Sequence, residues 1–199
     1  MDFKQNIVLE DARVLLRPFN PADLEQLRAI AFDEDTWRYT VTCLTSEADL
    51  QQWAKEALAA RRNASRYTFV IEDKATGQLA GSTSYGNISA TDKRLEIGWT
   101  WLGKAYRGSG LNHHCKFLLL QYAFEVLHCA RVELKTDVLN TRSRKAMLKL
   151  GATEEGILRS HTLMHDGRRR DTIYYSILET EWSAIQQTIF KDMLPGASH

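Results

Sequence analysis

The stretch from residue 94 to 138 constrains the fold most, because two strand patterns enclose a glycine-rich loop and a helix pattern. The first strand pattern is "RLEIGWTWL" (94–102) and the second is "RVELKTDV" (131–138). Between them, "YRGSGLN" (106–112) turns the chain, and "HHCKFLLLQYAFEVLH" (113–128) is apolar on most sides, as in a buried helix. Such a unit is a right-handed crossover between parallel strands. It predicts a parallel strand pair with a helix covering one face.

The rest of the chain predicts two earlier helices and further strands, several of them antiparallel. Asn20 and Ser46 are candidate N-caps for the two earlier helices. The predicted helices cover residues 20–31, 46–62, 113–128 and 140–151. The predicted strands cover residues 13–19, 67–73, 78–86, 94–102, 131–138, 152–164 and 169–178. The predicted fold class is α/β (α+β), a mixed central β-sheet of about seven strands flanked by about four helices.

Length and composition indicate one globular domain over residues 1–199, with a core at about 12–182 and a loose tail at 191–199. The net charge of +1 argues against a dedicated nucleic-acid-binding protein. The sequence shows no signal-peptide pattern and no apolar run of the ~20 residues that a membrane span needs. Three cysteines form no disulfide framework. We therefore expect a soluble cytoplasmic protein with no membrane partner, for which a homodimer stays open.

Metal binding is not expected. The histidines and cysteines at 113–115, 128–129, 161 and 165 show neither a CxxC nor an HExxH spacing. Adjacent residues on a helix also point in different directions, so the "HHC" stretch does not present one ligand set.

The glycine-rich loop has two interpretations. Backbone N–H groups at a helix start are unpaired and carry partial positive charge, and glycines let a backbone approach an anion closely. Arg107 would add a full positive charge at the rim. The alternative is a plain strand-to-helix turn that uses glycine for its geometry, and the loop alone favours that alternative.

The flanking residues carry a family resemblance. "EIGWTWLGKAYRGSGLN" resembles the acetyl-CoA-binding motif of the GNAT N-acetyltransferase superfamily, with Arg107 and Gly110 at motif positions and Asn112 where the motif has glycine or alanine. Asn112 could cap the helix or contact phosphate through its amide. "DVLNTRSRKAMLKLGATEEGILR" and "DGRRRDTIYYSILETEW" resemble the ribosomal-protein (Rim-type) N-terminal acetyltransferase branch. The resemblance implies acetyl-CoA as cosubstrate, bound by Trp101, Leu102, Arg107, Gly108, Ser109, Gly110, Leu111, Asn112, Asn140 and Ser143.

Glu96 is one candidate for the general base that removes a proton from the acceptor ammonium. Strand alternation places it on one face with the small residues Gly98 and Thr100, which leaves room for a substrate. The alternation assigns the opposite face to Leu95, Ile97, Trp99 and Trp101. The alternative is a structural ion pair of Glu96 with Arg94 or with a neighbouring strand.

The leaving thiolate needs a hydrogen-bond donor, which the family often supplies as a tyrosine in the helix at 140–151. That segment has no tyrosine, and the branch resemblance points to Ser143 instead. Asn140 would then bridge the amide arm of the cosubstrate and the start of the helix. The alternative for Asn140 and Ser143 is helix capping. Where the branch can carry a second glutamate this chain has Thr162, so the adjacent His161 is the other candidate base.

Three functions follow from these features. The first is acetyl transfer from acetyl-CoA to a primary amine, either a small molecule or a peptide N-terminus. The acidic run "FDEDTWRY" (32–39) could attract such a cation, although a charge run is usually a solvated face. The second is a degenerate module that binds acetyl-CoA without turnover, and the third is a structural protein that kept only the fold.

Overall fold

Eight strands form one mixed sheet in the computed structural model, which describes residues 3–194. The sheet order is β1-β2-β3-β4-β5-β6-β8-β7, and only β5 and β6 are parallel. The strands are β1 Leu9–Glu10, β2 Val14–Pro18, β3 Arg66–Asp73, β4 Gln78–Ser89, β5 Arg94–Leu102, β6 Arg131–Asp137, β7 Thr153–Leu163 and β8 Arg169–Leu178. The helices are α1 Leu24–Ala31, α2 Glu34–Trp37, α3 Glu47–Arg62, α4 Leu111–Gln121, α5 Thr141–Lys149 and α6 Glu179–Thr188.

The predicted fold class is confirmed, and the strand count differs by one. The additional strand is the two-residue β1, which is too short to leave a periodic pattern. Two helices beyond the predicted four are present in residues 3–194: α2 lies inside the acidic run, and α6 follows β8 directly. The predicted crossover at 94–138 is confirmed by the parallel pairing of β5 with β6.

Helix starts follow the local sequence closely. The Asn20 side chain accepts a hydrogen bond from the backbone N–H of Ala22, and the Asp23 carboxylate accepts one from the backbone N–H of Asn20. These two bonds cap a 3₁₀ turn that precedes α1. The Ser46 side chain accepts from the backbone N–H of Asp49 at 3.2 Å. These bonds satisfy donors that every helix start leaves free. The helix α4 begins at Leu111, where the loop pattern predicts its start, and after Gln121 it continues as a π-helical turn, Tyr122–Val126.

The sheet separates two apolar clusters. On one face α4, α5 and α6 pack against the sheet, with Phe69, Leu95 and Ile97 fully or almost fully buried. On the other face α1, α2 and α3 pack around Trp37 and Val70. The second cluster reaches β5 only at Trp101. The same face of β6, β8 and the first half of β5 carries mainly polar side chains, which are described below.

Membrane-spanning helices and clusters of metal-ligating side chains can be sought only in residues 3–194, which the structure describes. In that range no helix has the length and apolar character needed to cross a membrane, and no group of three metal-ligating side chains comes together. The three cysteines are free. Lys191–Met193 forms a 3₁₀ turn, and the remainder of the expected loose tail, residues 195–199, lies outside the described residues.

Candidate active site

The parallel strands β5 and β6 separate after three residue pairs. Their register runs from Arg94–Arg131 to Glu96–Glu133, while β5 continues to Leu102 beside β4 alone. Within the described part of the chain, the β6 side of β5 therefore has no strand partner beyond Glu96. A free strand edge can hydrogen-bond an extended ligand arm as an added strand would. The separation leads from the glycine-rich loop towards Glu96.

A β-bulge at Trp99 corrects the predicted faces of β5. Trp99 has a φ of 52°, and the register with β4 shifts between Ser82–Trp101 and Ser84–Gly98. The extra residue reverses the alternation. Trp99 and Trp101 thus lie on the Glu96 side, and Thr100 faces α4, where its hydroxyl accepts a hydrogen bond of 2.9 Å from Lys116 Nζ. The prediction that Thr100 shares the Glu96 face was wrong.

Glu96 is 3% exposed and is bonded on one oxygen. Its Oε2 accepts from Asn87 Nδ2 at 2.5 Å and lies 2.8 Å from Lys135 Nζ on β6. A Cβ on Gly98 would lie 2.7 Å from Glu96 Oε1, so glycine at 98 makes the space for this carboxylate. The ion pair with a neighbouring strand exists, while Arg94 pairs with Asp92 and Glu133 instead.

An open depression of about 470 Å³ adjoins this carboxylate on the same face of the sheet. Asn87, which bonds Glu96, lies in its wall. Tyr174, which faces the Lys135 ammonium at 5.6 Å, lies opposite. The full lining is Ser65, Asn87, Ile88, Ser89, Arg94, Glu133 and Tyr174. Its polar lining suits a small polar acceptor more than an apolar one.

The glycine-rich loop is open above its backbone. Gly108 and Gly110 have φ values of 77° and 86°, and Gly110 is the N-cap of α4. A Cβ at either glycine would meet nothing within 4 Å. The hydrogen bonds within residues 3–194 include none from the N–H groups of Gly108, Ser109, Gly110 or Asn112. Free N–H groups at a helix start fit an anion such as pyrophosphate.

Arg107 points away from the space above the loop. Its Nη2 lies 2.5 Å from Asp33 Oδ2 and also bonds Thr36, and its Nε donates to the carbonyl of Leu102 at 3.2 Å. Desolvation raises the pKa of Asp33, but hydrogen bonding and charge from Arg107 outweigh it and leave the pKa lowered. Arg107 therefore ties the loop to α2, and its charge is already partnered. The full positive charge that the sequence predicted at the rim of the loop is thus paired with Asp33.

Three further residues that were predicted to bind the cosubstrate, Asn112, Trp101 and Leu111, have buried side-chain atoms. Asn112 does not cap α4, because Gly110 occupies that position, and the Asn112 Oδ1 atom is buried with no partner among residues 3–194. Trp101 packs its ring against Trp37 and Trp53, so its side chain belongs to the core. Leu111 is buried as well. At 101 and 111 the side chains are therefore buried, which leaves the backbone groups of these two residues for binding, while Leu102 is half-buried.

Asn140 caps the start of α5, which is the alternative role that the sequence offered for this residue. Asn140 Oδ1 accepts from the backbone N–H of Ser143 at 3.1 Å. The Ser143 side chain is half-buried and is not the capping group. Its hydroxyl remains available for another role, so its part in the reaction stays a prediction.

His161 is exposed on the edge strand β7. Its Nδ1 lies 3.1 Å from Thr172 Oγ1 and 3.1 Å from Thr162 Oγ1. Its ring meets the edge of Tyr174 at 6.0 Å. Since Tyr174 also contacts Lys135, the two candidate bases occupy the same side of the sheet, and the geometry leaves both open.

Sequence reasoning missed the polar partners of Glu96. Lys135 and Glu133 share one face of β6, opposite the buried Val132 and Leu134. This alternation is legible in "RVELKTDV", and combined with the parallel pairing it would have placed Lys135 beside Glu96. Asn87 gave no such signal, because it has a φ of 47° at the irregular end of β4.

Comparison with known proteins decides the family. The model of the acetyltransferase (GNAT) domain family matches residues 13–153. The chain belongs to the GNAT acetyltransferase family. A Bacillus subtilis (strain 168) protein named "Putative ribosomal N-acetyltransferase YdaF" is 36% identical over 106 residues, which cover 53% of this chain and 57% of that protein. This likeness thus spans about half of either chain.

Two solved structures show the same GNAT fold along most of the chain. A GCN5-related N-acetyltransferase from Brucella melitensis has a TM-score of 0.88 and 27% identity, covering 98% of this chain and 88% of that one. A ribosomal-protein-S5-alanine acetyltransferase from Vibrio fischeri has a TM-score of 0.72 and 18% identity, covering 88% and 98%. The second likeness concerns the fold alone.

Proposed function

We propose that this GNAT protein transfers the acetyl group of acetyl-CoA to a primary amine of a small molecule or peptide. One observation carries the proposal: the open N–H loop at Gly108–Gly110 and the separation of β5 from β6 lead to a buried carboxylate. The depression on the other side of Glu96 gives the acceptor its own entry. Cosubstrate and amine could thus approach from different directions.

The chain supplies two distinct contacts for acetyl-CoA. The free N–H groups of Gly108, Ser109 and Gly110 would hold the pyrophosphate at the start of α4. The unpaired edge of β5 up to Leu102 would hydrogen-bond the extended pantetheine arm. The cosubstrate itself supplies the activated thioester. Asn112 Oδ1, which is buried and unbonded, would gain a partner if an N–H of that arm reached it.

The residues then have separate tasks in the transfer. Glu96, or His161 in its place, would accept a proton from the acceptor ammonium, so that the amine nitrogen can bond to the thioester carbonyl carbon. The carbon–sulfur bond breaks, and the sulfur leaves as a thiolate that takes up a proton. The Ser143 hydroxyl would donate a hydrogen bond to that sulfur. Lys135 holds the Glu96 carboxylate in place beside the acceptor.

The alternative is acetyl-CoA binding without turnover. The ion pair of Glu96 with Lys135 favours it, because a structural ion pair with a neighbouring strand explains this carboxylate without catalysis. Against it, no hydrogen bond within residues 3–194 occupies Glu96 Oε1, and this atom remains free to accept a proton.

A panel of primary amines separates the two functions. Thiol release from acetyl-CoA is measured with N-terminal peptides, amino acids, polyamines and aminoglycosides, beside calorimetric binding of acetyl-CoA. Amine-dependent release supports transfer. Binding without release from any amine supports the module, and no binding overturns both.

A further inference from the structure

Arg66, the first residue of β3, is an arginine with no acidic partner. No carboxylate in residues 3–194 lies within 4.0 Å of its guanidinium nitrogens, and its buried Nε has no hydrogen-bond partner there. Burial lowers the pKa of this guanidinium, partly offset by the charge of Glu56. Most half-buried arginines on this side of the sheet, such as Arg94 and Arg131, are paired with carboxylates. A half-buried guanidinium that has no carboxylate partner is a candidate anion-binding group.

Arg66 lies directly across the sheet from Glu96. The register pairs Arg66 with Gly86 and Gly86 with Glu96, so the three residues form one row across β3, β4 and β5. Strand spacing puts the Cα atoms of Arg66 and Glu96 about 10 Å apart, and both side chains project from the same face. Gly86 contributes no side chain between them.

The Trp99 ring fills the space over Gly86. A Cβ at Gly86 would lie 2.3 Å from Trp99 Cζ3. The Arg66 Cζ atom is 5.3 Å from the centre of this ring, and Lys135 Nζ is 6.0 Å from it. The bulge that turns Trp99 to this side thus builds an aromatic floor between Glu96 and Arg66. Ser65 and Asn87, which flank the row, line the adjoining depression.

We propose that the acceptor is an amine that carries a carboxylate in the same residue, with its ammonium at Glu96 and its carboxylate at Arg66. The inference rests on the proposed acetyl transfer and narrows its substrate class. The guanidinium matches a carboxylate with two parallel hydrogen bonds, and the Trp99 ring would lie beneath the atoms that join the two charged ends. The carboxylate comes either from the α-carboxyl of a free amino acid or from an acidic first side chain of a peptide.

Pairs of acceptors that differ only in a carboxylate or an amide distinguish the peptide side chain from the free α-carboxyl. The peptide arm compares Glu-Ala-Ala amide with Gln-Ala-Ala amide, and the free arm compares glutamine with glutamine amide. Each is assayed for thiol release with the wild-type protein, Arg66→Gln, Arg66→Lys and Arg62→Gln. Arg62 is an exposed arginine at the end of α3, so its variant makes the same change in net charge away from the row.

The expected result is a lower KM for the carboxylate member of at least one pair. Arg66→Gln should raise that KM about 10- to 100-fold, because a hydrogen bond to a charged group is lost. The KM of the amide member should stay unchanged, Arg66→Lys should restore part of the preference, and Arg62→Gln should keep all of it. Melting curves show whether each variant is folded.

Two outcomes overturn the inference while the proposed function stands. One is equal KM values within both pairs for the wild-type protein, and the other is a carboxylate preference that survives undiminished in folded Arg66→Gln. If no amine is acetylated, the proposed function fails, and calorimetric binding of the same probes in the presence of CoA decides the inference. Binding of a carboxylate probe that weakens at least tenfold in Arg66→Gln supports it, and equal or absent binding refutes it.

Discussion

At the scale of single residues, the chemistry depends on how each charged side chain is partnered. Glu96 keeps one oxygen on Lys135 and Asn87, while its other oxygen faces Gly98. Lys116 is buried and bonded to Thr100 without a carboxylate within 4.0 Å in residues 3–194. The free oxygen of Glu96 suits a proton acceptor, and the burial of the Lys116 ammonium predicts a cost in stability.

Glu96→Gln tests the proton acceptor. The variant keeps the shape of the side chain and removes the base, so we expect kcat at neutral pH to fall by about 10²- to 10⁴-fold. Activity should recover in part at alkaline pH, because more of the acceptor arrives already deprotonated. The pH–rate profile is the measurement. Glu72→Gln, which alters an ion-paired carboxylate on β3 outside the site, should leave the profile unchanged.

An unaltered kcat and pH profile in Glu96→Gln would exclude Glu96 as the base and direct the same experiment to His161→Ala.

Ser143→Ala tests the thiolate donor. Loss of one hydrogen bond to the leaving sulfur should lower kcat less than Glu96→Gln does, by about tenfold. The defect should persist at alkaline pH, since deprotonating the acceptor does not help the leaving group. The measurement is kcat across the same pH range. A defect that alkaline pH repairs would contradict the assignment, and an unchanged kcat would remove Ser143 from the reaction.

Lys116→Met tests the buried amine. Burial lowers the pKa of Lys116 to about 8, partly offset by the charges of Cys115 and Glu96. An unfolded lysine titrates at about 10.4, so between about pH 8 and 10.4 the unfolded state binds more protons, and stability rises with pH there. Below pH 8 we expect the full cost, on the order of 3 kcal/mol, to be present.

The methionine variant should therefore be more stable than the wild-type protein at pH 7, by up to about 3 kcal/mol, with the advantage shrinking above pH 8. Urea unfolding at pH 7 and at pH 9.5 gives the two differences. Lys55→Met, an exposed position on α3, should show neither effect. A destabilised Lys116→Met would mean that the bond to Thr100 outweighs the burial cost.

At the scale of elements, the bulge in β5 and the loop before α4 decide where ligands can approach. Strand alternation predicted the positions of Glu96 and Gly98 correctly, but it could not predict the bulge. A left-handed conformation at a tryptophan is set by packing over Gly86 and not by local propensity. The role of Arg107 could not be predicted either, because its partner Asp33 lies 74 positions earlier in the chain.

Gly110→Val tests the loop. The branched side chain would occupy the open space above the N–H groups and would disfavour the φ of 86°. The KM for acetyl-CoA should rise at least tenfold, while kcat at saturation falls less. The matched control is Gly167→Val in the β7–β8 turn, where φ is 83° and a Cβ likewise meets nothing within 4 Å. Equal KM values in the two variants would make the loop a plain turn.

At the scale of the whole molecule, the loop before α4 and the depression beside Asn87 lie on two sides of Glu96, and the proposed function uses them as separate approaches. The fold class and the parallel crossover were predictable because long periodic segments and their order determine them. The pairing of Glu96 with Lys135 depends on register between distant strands, which a single sequence only implies. A homodimer stays a prediction, which sedimentation of the full chain can test.

Acetyl-CoA should stabilise the whole protein. At a concentration one hundred times its Kd, the free energy of unfolding should rise by about 2.7 kcal/mol. Desulfo-CoA should do nearly as well, because the contacts proposed for the loop are with phosphate and not with sulfur. Thermal melting with each ligand measures the effect, and Gly110→Val supplies the control. An unchanged melting temperature at millimolar concentrations would contradict binding at the loop.

The most direct test of acetyl transfer is mass spectrometry of the acceptor itself. The wild-type protein, Gly110→Val and Glu96→Gln are each incubated with acetyl-CoA and the best amine of the panel at neutral pH. The expected result is an N-acetylated amine formed in step with thiol release by the wild-type protein, and far less product from both variants. If the wild-type protein binds acetyl-CoA and yet no amine in the panel is acetylated, the proposed transfer is wrong.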